Sequence, residues 1–135
     1  MSPAEIFHRM FDNDPFSHWM GLELMGVDGG TCTLRMTVRE EMLNGFGVAH
    51  GAITFALADS AFAFACNSRG RHALSIHCTV EHLTAVRAGD ELIAAASELH
   101  LGHTLSRYEV TVQRTDGVLV ALFRGVAYRK SEAWL

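Results

Sequence analysis

Asp59 is a lone carboxylate inside an apolar run, and eight residues before it Gly51 closes the loop Asn44-Gly-Phe-Gly-Val-Ala-His50. Together these residue types suit acyl transfer to water. A glycine at a helix start offers free N–H groups and the positive end of the helix dipole, which polarise a carbonyl and stabilise a developing oxyanion. Its missing Cβ lets a ligand approach the backbone closely. A poorly hydrated Asp59 can act as a general base on water or as a direct nucleophile. Asn44 can orient the water or the acid with one acceptor and two donors. His50 fits an ordering hydrogen bond in the loop as well as it fits a part in the chemistry. Taken singly, each residue also has a plain structural use: a turn glycine, an Asn-Gly turn, an Asp bonded to a neighbour. Their order and spacing carry the signal. On one helix, eight residues at about 1.5 Å rise place Gly51 and Asp59 roughly 12 Å apart. One chain therefore cannot bring both to one small group, whereas two antiparallel copies of the helix across a two-fold axis can, with two equivalent sites per dimer.

The elements that must position these residues follow from the pattern. Ala52 to Cys66 is apolar on every side, rich in Ala and Phe, and is followed by Asn67-Ser68-Arg69-Gly70 as a stop. That is a buried helix, wrapped by a sheet and a neighbouring subunit. Pro3 to Phe11 reads as an earlier helix, ended by Asp12-Asn13-Asp14-Pro15. A short strand is expected around Leu22–Val27. After the Asp28-Gly29-Gly30 turn, Cys32, Leu34, Met36 and Val38 alternate with polar residues as a half-buried strand. Residues 73–83, 91–100, 104–114 and 118–129 read as four further strands joined by short turns, which predicts an antiparallel meander. The fold class is α+β: one domain over residues 1–135, with a curved antiparallel sheet around one long central helix.

Composition narrows the rest. The chain has 135 residues, 49% hydrophobic and 19% charged, with a formal net charge of −4. A single core fits that length. Ten of the eleven cations are arginines, unclustered, so nucleic acid is not an expected partner. Cys32, Cys66 and Cys78 match neither a zinc spacing nor a disulfide framework, which points to the cytoplasm. The N-terminus lacks a signal-peptide pattern, and residues 52–66, interrupted by Asp59, are too short to span a bilayer, so no membrane association is expected. His77 with His82 and His100 with His103 lack the further ligands of a metal set, so no metal is expected.

The run Met42-Leu-Asn44-Gly-x-x-x-x-His50-Gly51, continued as Leu57-Ala-Asp59-Ser-Ala-Phe-Ala63, resembles the signature of the small hotdog-fold acyl-CoA thioesterases. Within them it is most similar to the phenylacetate-pathway branch. The likeness extends through Ala65-Cys-Asn-Ser-x-Gly70, Ala88-Gly-Asp90 and Val120-Ala-Leu-Phe-Arg-Gly125, over nearly the whole chain. The resemblance implies the hotdog fold, homodimers with a continuous sheet, usually paired as homotetramers, and hydrolysis of a CoA thioester. The acyl group is expected to be arylacetyl, such as phenylacetyl or a ring-hydroxylated form. No cofactor is implied, CoA being part of the substrate. By motif position Asp59 is the base or nucleophile, the partner chain's Gly51 amide polarises the carbonyl, Asn44 positions, His50 supports the loop, and Ser75 helps hold the water. Family pattern puts CoA contacts at His82–Arg87 and His100–Leu105, with His82, Arg87, His103 and Thr104 as candidates. Two departures stand out: Ala52 where relatives carry a second glycine, and Glu81-His-Leu-Thr-Ala85 where an aromatic and an Arg-Pro pair are common. The competing functions are a hotdog dehydratase or hydratase, and a non-catalytic acyl-CoA-binding protein.

Overall fold

The computed structural model describes residues 1–135. Ser2 caps the first helix, α1 (Pro3–Phe11): its hydroxyl accepts from the Glu5 N–H at 3.2 Å, Pro3 supplies a preset φ, and Ile6 and Phe7 face the core. The Asp12–Pro15 segment does more than end α1. Asp14 accepts from the Ser17 N–H at 3.0 Å and starts a second short helix, α2 (Pro15–Met20), which closes on Gly21 at φ 71°. The Asp-Pro pair is as good a start signal as a stop, and the start is what the chain uses.

Strands β1 (Glu23–Asp28) and β2 (Thr31–Thr37) form a hairpin, followed by a 3-10 turn (Glu40–Met42) and the long helix α3 (Gly51–Asn67). Then come β3 (Arg71–His82), β4 (Glu91–Leu101), β5 (Leu105–Arg114) and β6 (Leu119–Ala133). All six strands pair antiparallel in one sheet, in the order β1-β2-β4-β5-β6-β3. The last four strands are therefore not a simple meander. β4, β5 and β6 follow one another, but β3 lies beyond β6 at an edge and β4 pairs with β2. α3 causes this arrangement: it carries the chain across the concave face, so β3 enters on the far side and the next connection must return.

α3 contributes Leu57, Ala58, Ala61, Phe62 and Ala65 to a continuous apolar core with Leu34, Met36, Leu92, Val110 and Phe123 from the sheet. Gly125 on β6 sets how closely the helix sits. A Cβ there would lie 2.8 Å from the Phe62 ring, so the ring packs directly on the strand backbone. Burial is less complete along one stripe of the helix, through Ala52, Ala56, Asp59, Ser60 and Ala63, which recur at helical spacing. β3 offers a free edge as well, with Leu74 and Ile76 60% and 58% exposed.

Candidate active site

The loop before α3 is tied to itself. Asn44 donates its N–H to the Val48 carbonyl at 2.8 Å, while its side-chain Oδ1 accepts from the Phe46 and Val48 amides at 2.9 and 3.4 Å. Gly47, at φ 76°, makes the tight reversal. Ala49 donates to Val86 and His50 to Met42, which pins the loop to the body of the protein. The His50 side chain then caps α3, its Nδ1 accepting from the Ala52 N–H at 3.0 Å. Of the two uses left open for His50, the structure shows the ordering one.

Capping stops short of Gly51. Its N–H has no acceptor within the chain, neither backbone nor side chain, and it stands at the positive end of a 17-residue helix. Beside it lies a cavity of about 300 Å³ lined by Asn44, Val48, Gly51, Thr54, His82 and Val86 among others. Asn44 Oδ1 is spent on the loop, but its amide nitrogen donates to nothing in the chain. The cavity thus holds unused donors at one end of α3.

Asp59 is elsewhere on the same helix, roughly two turns on and outside that cavity. It is half-buried and has no hydrogen-bond or ion-pair partner in the chain. Burial holds its carboxyl above the usual Asp range. A carboxylate left desolvated and unpaired is a stronger base than one in water, and such groups cluster at functional sites. On β3, the Ser75 hydroxyl and the Cys78 thiol share a hydrogen bond of 3.0 Å. Burial and then the Asp59 charge raise the Cys78 thiol, placing that pair within the field of the carboxylate.

The other candidates divide between the two ends of α3. The His82 imidazole lies against Gly51 and lines the cavity, on a residue that is itself exposed. Arg87 is exposed: its N–H donates to Asp90 Oδ2 at 2.9 Å, and its guanidinium forms no ion pair in the chain. His103 and Thr104 lie at the opposite end, where their carbonyls accept from Arg71 Nη2 at 2.8 Å and the Arg129 N–H at 2.7 Å. Within one chain, Asn44, Gly51 and His82 come together with Arg87 near by; Asp59, Ser75, His103 and Thr104 do not join them. Two residues beside the candidates, one lining the cavity and one bonded to Ser75, escaped the sequence reading. Thr54 lies one turn beyond Gly51, a spacing that predicts a shared face. Cys78 lies three residues from Ser75 on a strand, which ordinarily means opposite faces. A register shift between Ser75 and His77 reverses that parity. No three His, Cys, Asp or Glu side chains gather as a metal-ligand set.

Comparison with known proteins places the chain in a family and matches its fold. The model of the thioesterase superfamily matches residues 46–121, more than half of the chain. The acyl-coenzyme A thioesterase PaaI of Escherichia coli is 39% identical over 90% of this chain and 87% of its own length. The solved structure of the E. coli PaaI protein, from the phenylacetic acid degradation operon, superposes with a TM-score of 0.95 at 37% identity, covering 97% of this chain and 95% of its own. A structure of the phenylacetic acid degradation protein PaaI from Thermus thermophilus gives 0.84 at 38% identity, over 87% of this chain and all of its own (100%).

Proposed function

Because this chain belongs to the thioesterase superfamily and is an acyl-CoA thioesterase, we propose that its substrate is an arylacetyl-CoA, phenylacetyl-CoA or a ring-hydroxylated form, and that two chains build each site. One observation carries the reading. α3 has an unused amide at Gly51 and an unpaired, half-buried carboxylate at Asp59, too far apart to serve one thioester. An antiparallel second copy brings the Gly51 of one chain to the Asp59 of the other. The incompletely covered stripe through Ala56, Asp59 and Ala63 and the free edge of β3 give that copy somewhere to sit. Two such dimers make the expected tetramer.

In the assembled site the Asp59 carboxylate takes a proton from a water held by the Ser75 hydroxyl. The water oxygen adds to the thioester carbon, and the carbonyl π pair moves onto oxygen, where the Gly51 N–H and the field of the α3 N-terminus receive it. Collapse re-forms C=O and breaks the C–S bond; the thiolate recovers the proton from Asp59. Water and thioester are consumed, and acid and free CoA leave. The two PaaI relatives, both tied by name to phenylacetic acid degradation, support the arylacetyl choice. The free, exposed guanidinium of Arg87 supports a role for it in meeting CoA phosphates, and an antiparallel second chain would bring its His103 and Thr104 toward the same end. No helix is long and apolar enough to cross a membrane, and three unpaired cysteines suit a reducing cytoplasm.

The test is thiol release from a panel of acyl-CoA esters, compared by kcat/KM. Phenylacetyl-CoA or a hydroxylated form should lead straight-chain esters of similar size by at least about tenfold. A straight-chain ester that leads would overturn the arylacetyl choice.

A further inference from the structure

We infer that His82 is a second hydrogen-bond donor to the thioester carbonyl oxygen, acting beside the Gly51 amide; the inference rests on the thioesterase reading of this cavity. His82 is the last residue of β3 and pairs across the ladder with Ala121 of β6. Its ring turns toward the start of α3. A Cβ placed on Gly51 would lie 3.4 Å from His82 Nε2 and 3.6 Å from Cε1, so the imidazole edge rests against the backbone unit that carries the free N–H. Gly51 leaves that space open because it has no side chain of its own.

Neither ring nitrogen of His82 has a hydrogen-bond partner in the chain, and the Gly51 N–H has none either. The Gly51 N–H and the His82 ring therefore face one cavity side by side, with the Asn44 amide nitrogen a further unused donor on the loop wall. His82 is the sole titratable side chain among the residues lining it. The loop contributes Asn44, α3 contributes Thr54, and the segment after β3 contributes Leu83, Thr84, Ala85 and Val86. Glu81 precedes His82 on β3 and by strand alternation points to the other face. No cation competes for an oxyanion there, and no carboxylate repels one. The His82 side chain is exposed at the mouth of the cavity, with its imidazole edge beside the polarising amide. When the thioester carbon is attacked and its π pair moves to oxygen, Nε2–H and the Gly51 N–H bind the same oxygen. Nothing is transferred to His82, and its proton stays on nitrogen throughout. Such a donor acts on the transition state more than on bound substrate, so its loss appears in kcat.

The experiment is steady-state thiol release by His82→Phe, His82→Gln and His82→Asn, with thermal unfolding of each to confirm folding. The amide nitrogen of Gln reaches about as far as Nε2, that of Asn only as far as Nδ1, and Phe keeps the ring without a donor. The expected result is a fall in kcat of roughly a hundredfold in His82→Phe with little change in KM. Gln should recover most of that loss, and Asn should not. An active wild type with kcat unchanged in His82→Phe, or with the loss confined to KM, overturns the donor role and leaves the thioesterase reading standing. A wild type that releases thiol from no acyl-CoA overturns both.

Discussion

Gly51→Pro tests the shared site with little structural interference. Gly51 is the first residue of α3, and its φ is not among the positive ones, so the position has the backbone that proline favours at a helix start. His50 precedes it at φ −59° and ψ 138°, the extended conformation that a residue before proline needs. The N–H that proline lacks has no acceptor in the chain, so folding loses no hydrogen bond. The new Cβ would meet His82 Nε2 at 3.4 Å, an ordinary contact. Restricting the unfolded chain should leave stability unchanged or higher by about 0.4–1 kcal/mol. Turnover should nevertheless fall by roughly 10²–10³, or about 2.7–4 kcal/mol of transition-state stabilisation. Gly51→Ala keeps the N–H and measures the effect of the added carbon, which enters the space between Gly51 and His82; it should lose part of the activity but less than Gly51→Pro. Asp59→Asn removes the base and should cost about 10²–10⁴ in rate, while relieving a desolvated charge that has no partner. The decisive assay co-expresses Gly51→Pro and Asp59→Asn with different tags and purifies the doubly tagged species. Each mixed dimer has one site with both defects and one with neither. A random mixture should recover about a quarter of wild-type turnover and the purified hybrid about half. Folded hybrids that stay as inactive as their parents would refute the shared site, and full activity in Gly51→Pro would refute the donor role of the amide.

Asp59 also sets a pH dependence. Its carboxyl is raised by burial, so the acid limb of the kcat/KM profile should have its midpoint above the ordinary Asp value of about 3.9. Between the unfolded and folded pKa values the native state binds the extra proton, so stability falls as pH rises through that window and then levels off. The melting temperature of Asp59→Asn should therefore gain on the wild type across the window, and a constant difference from low to neutral pH would contradict the desolvated carboxylate. At the free edge, Ile76→Lys on β3 places a charge where a second copy would pair. Size-exclusion chromatography should show smaller species with little thiol release; unchanged size and turnover would exclude β3 as the interface.

The parts of this molecule that were legible in the sequence are those set by local rules. α3 can be read because its sequence is apolar on nearly every side, and β2 because only one face is wet. Periodicity does not say which strands pair. The positions of β3 and β4 depend on α3 crossing the sheet, a long-range outcome that short turns conceal. The bulge that turns Cys78 toward Ser75 is one residue of extra length, invisible in an alternation with few polar markers. Site chemistry shows the same division. The distance from Gly51 to Asp59 follows from helix rise alone, which is why a second chain is implied before any coordinates. Whether the Gly51 amide is free depends on what else competes for it: His50 caps Ala52 instead, and Asn44 spends its carbonyl oxygen on Phe46 and Val48. A motif states which donors exist. Only the hydrogen-bond inventory of the folded loop shows which remain unused, and in this chain that inventory leaves the Gly51 N–H, the His82 ring and the Asn44 amide nitrogen facing one cavity.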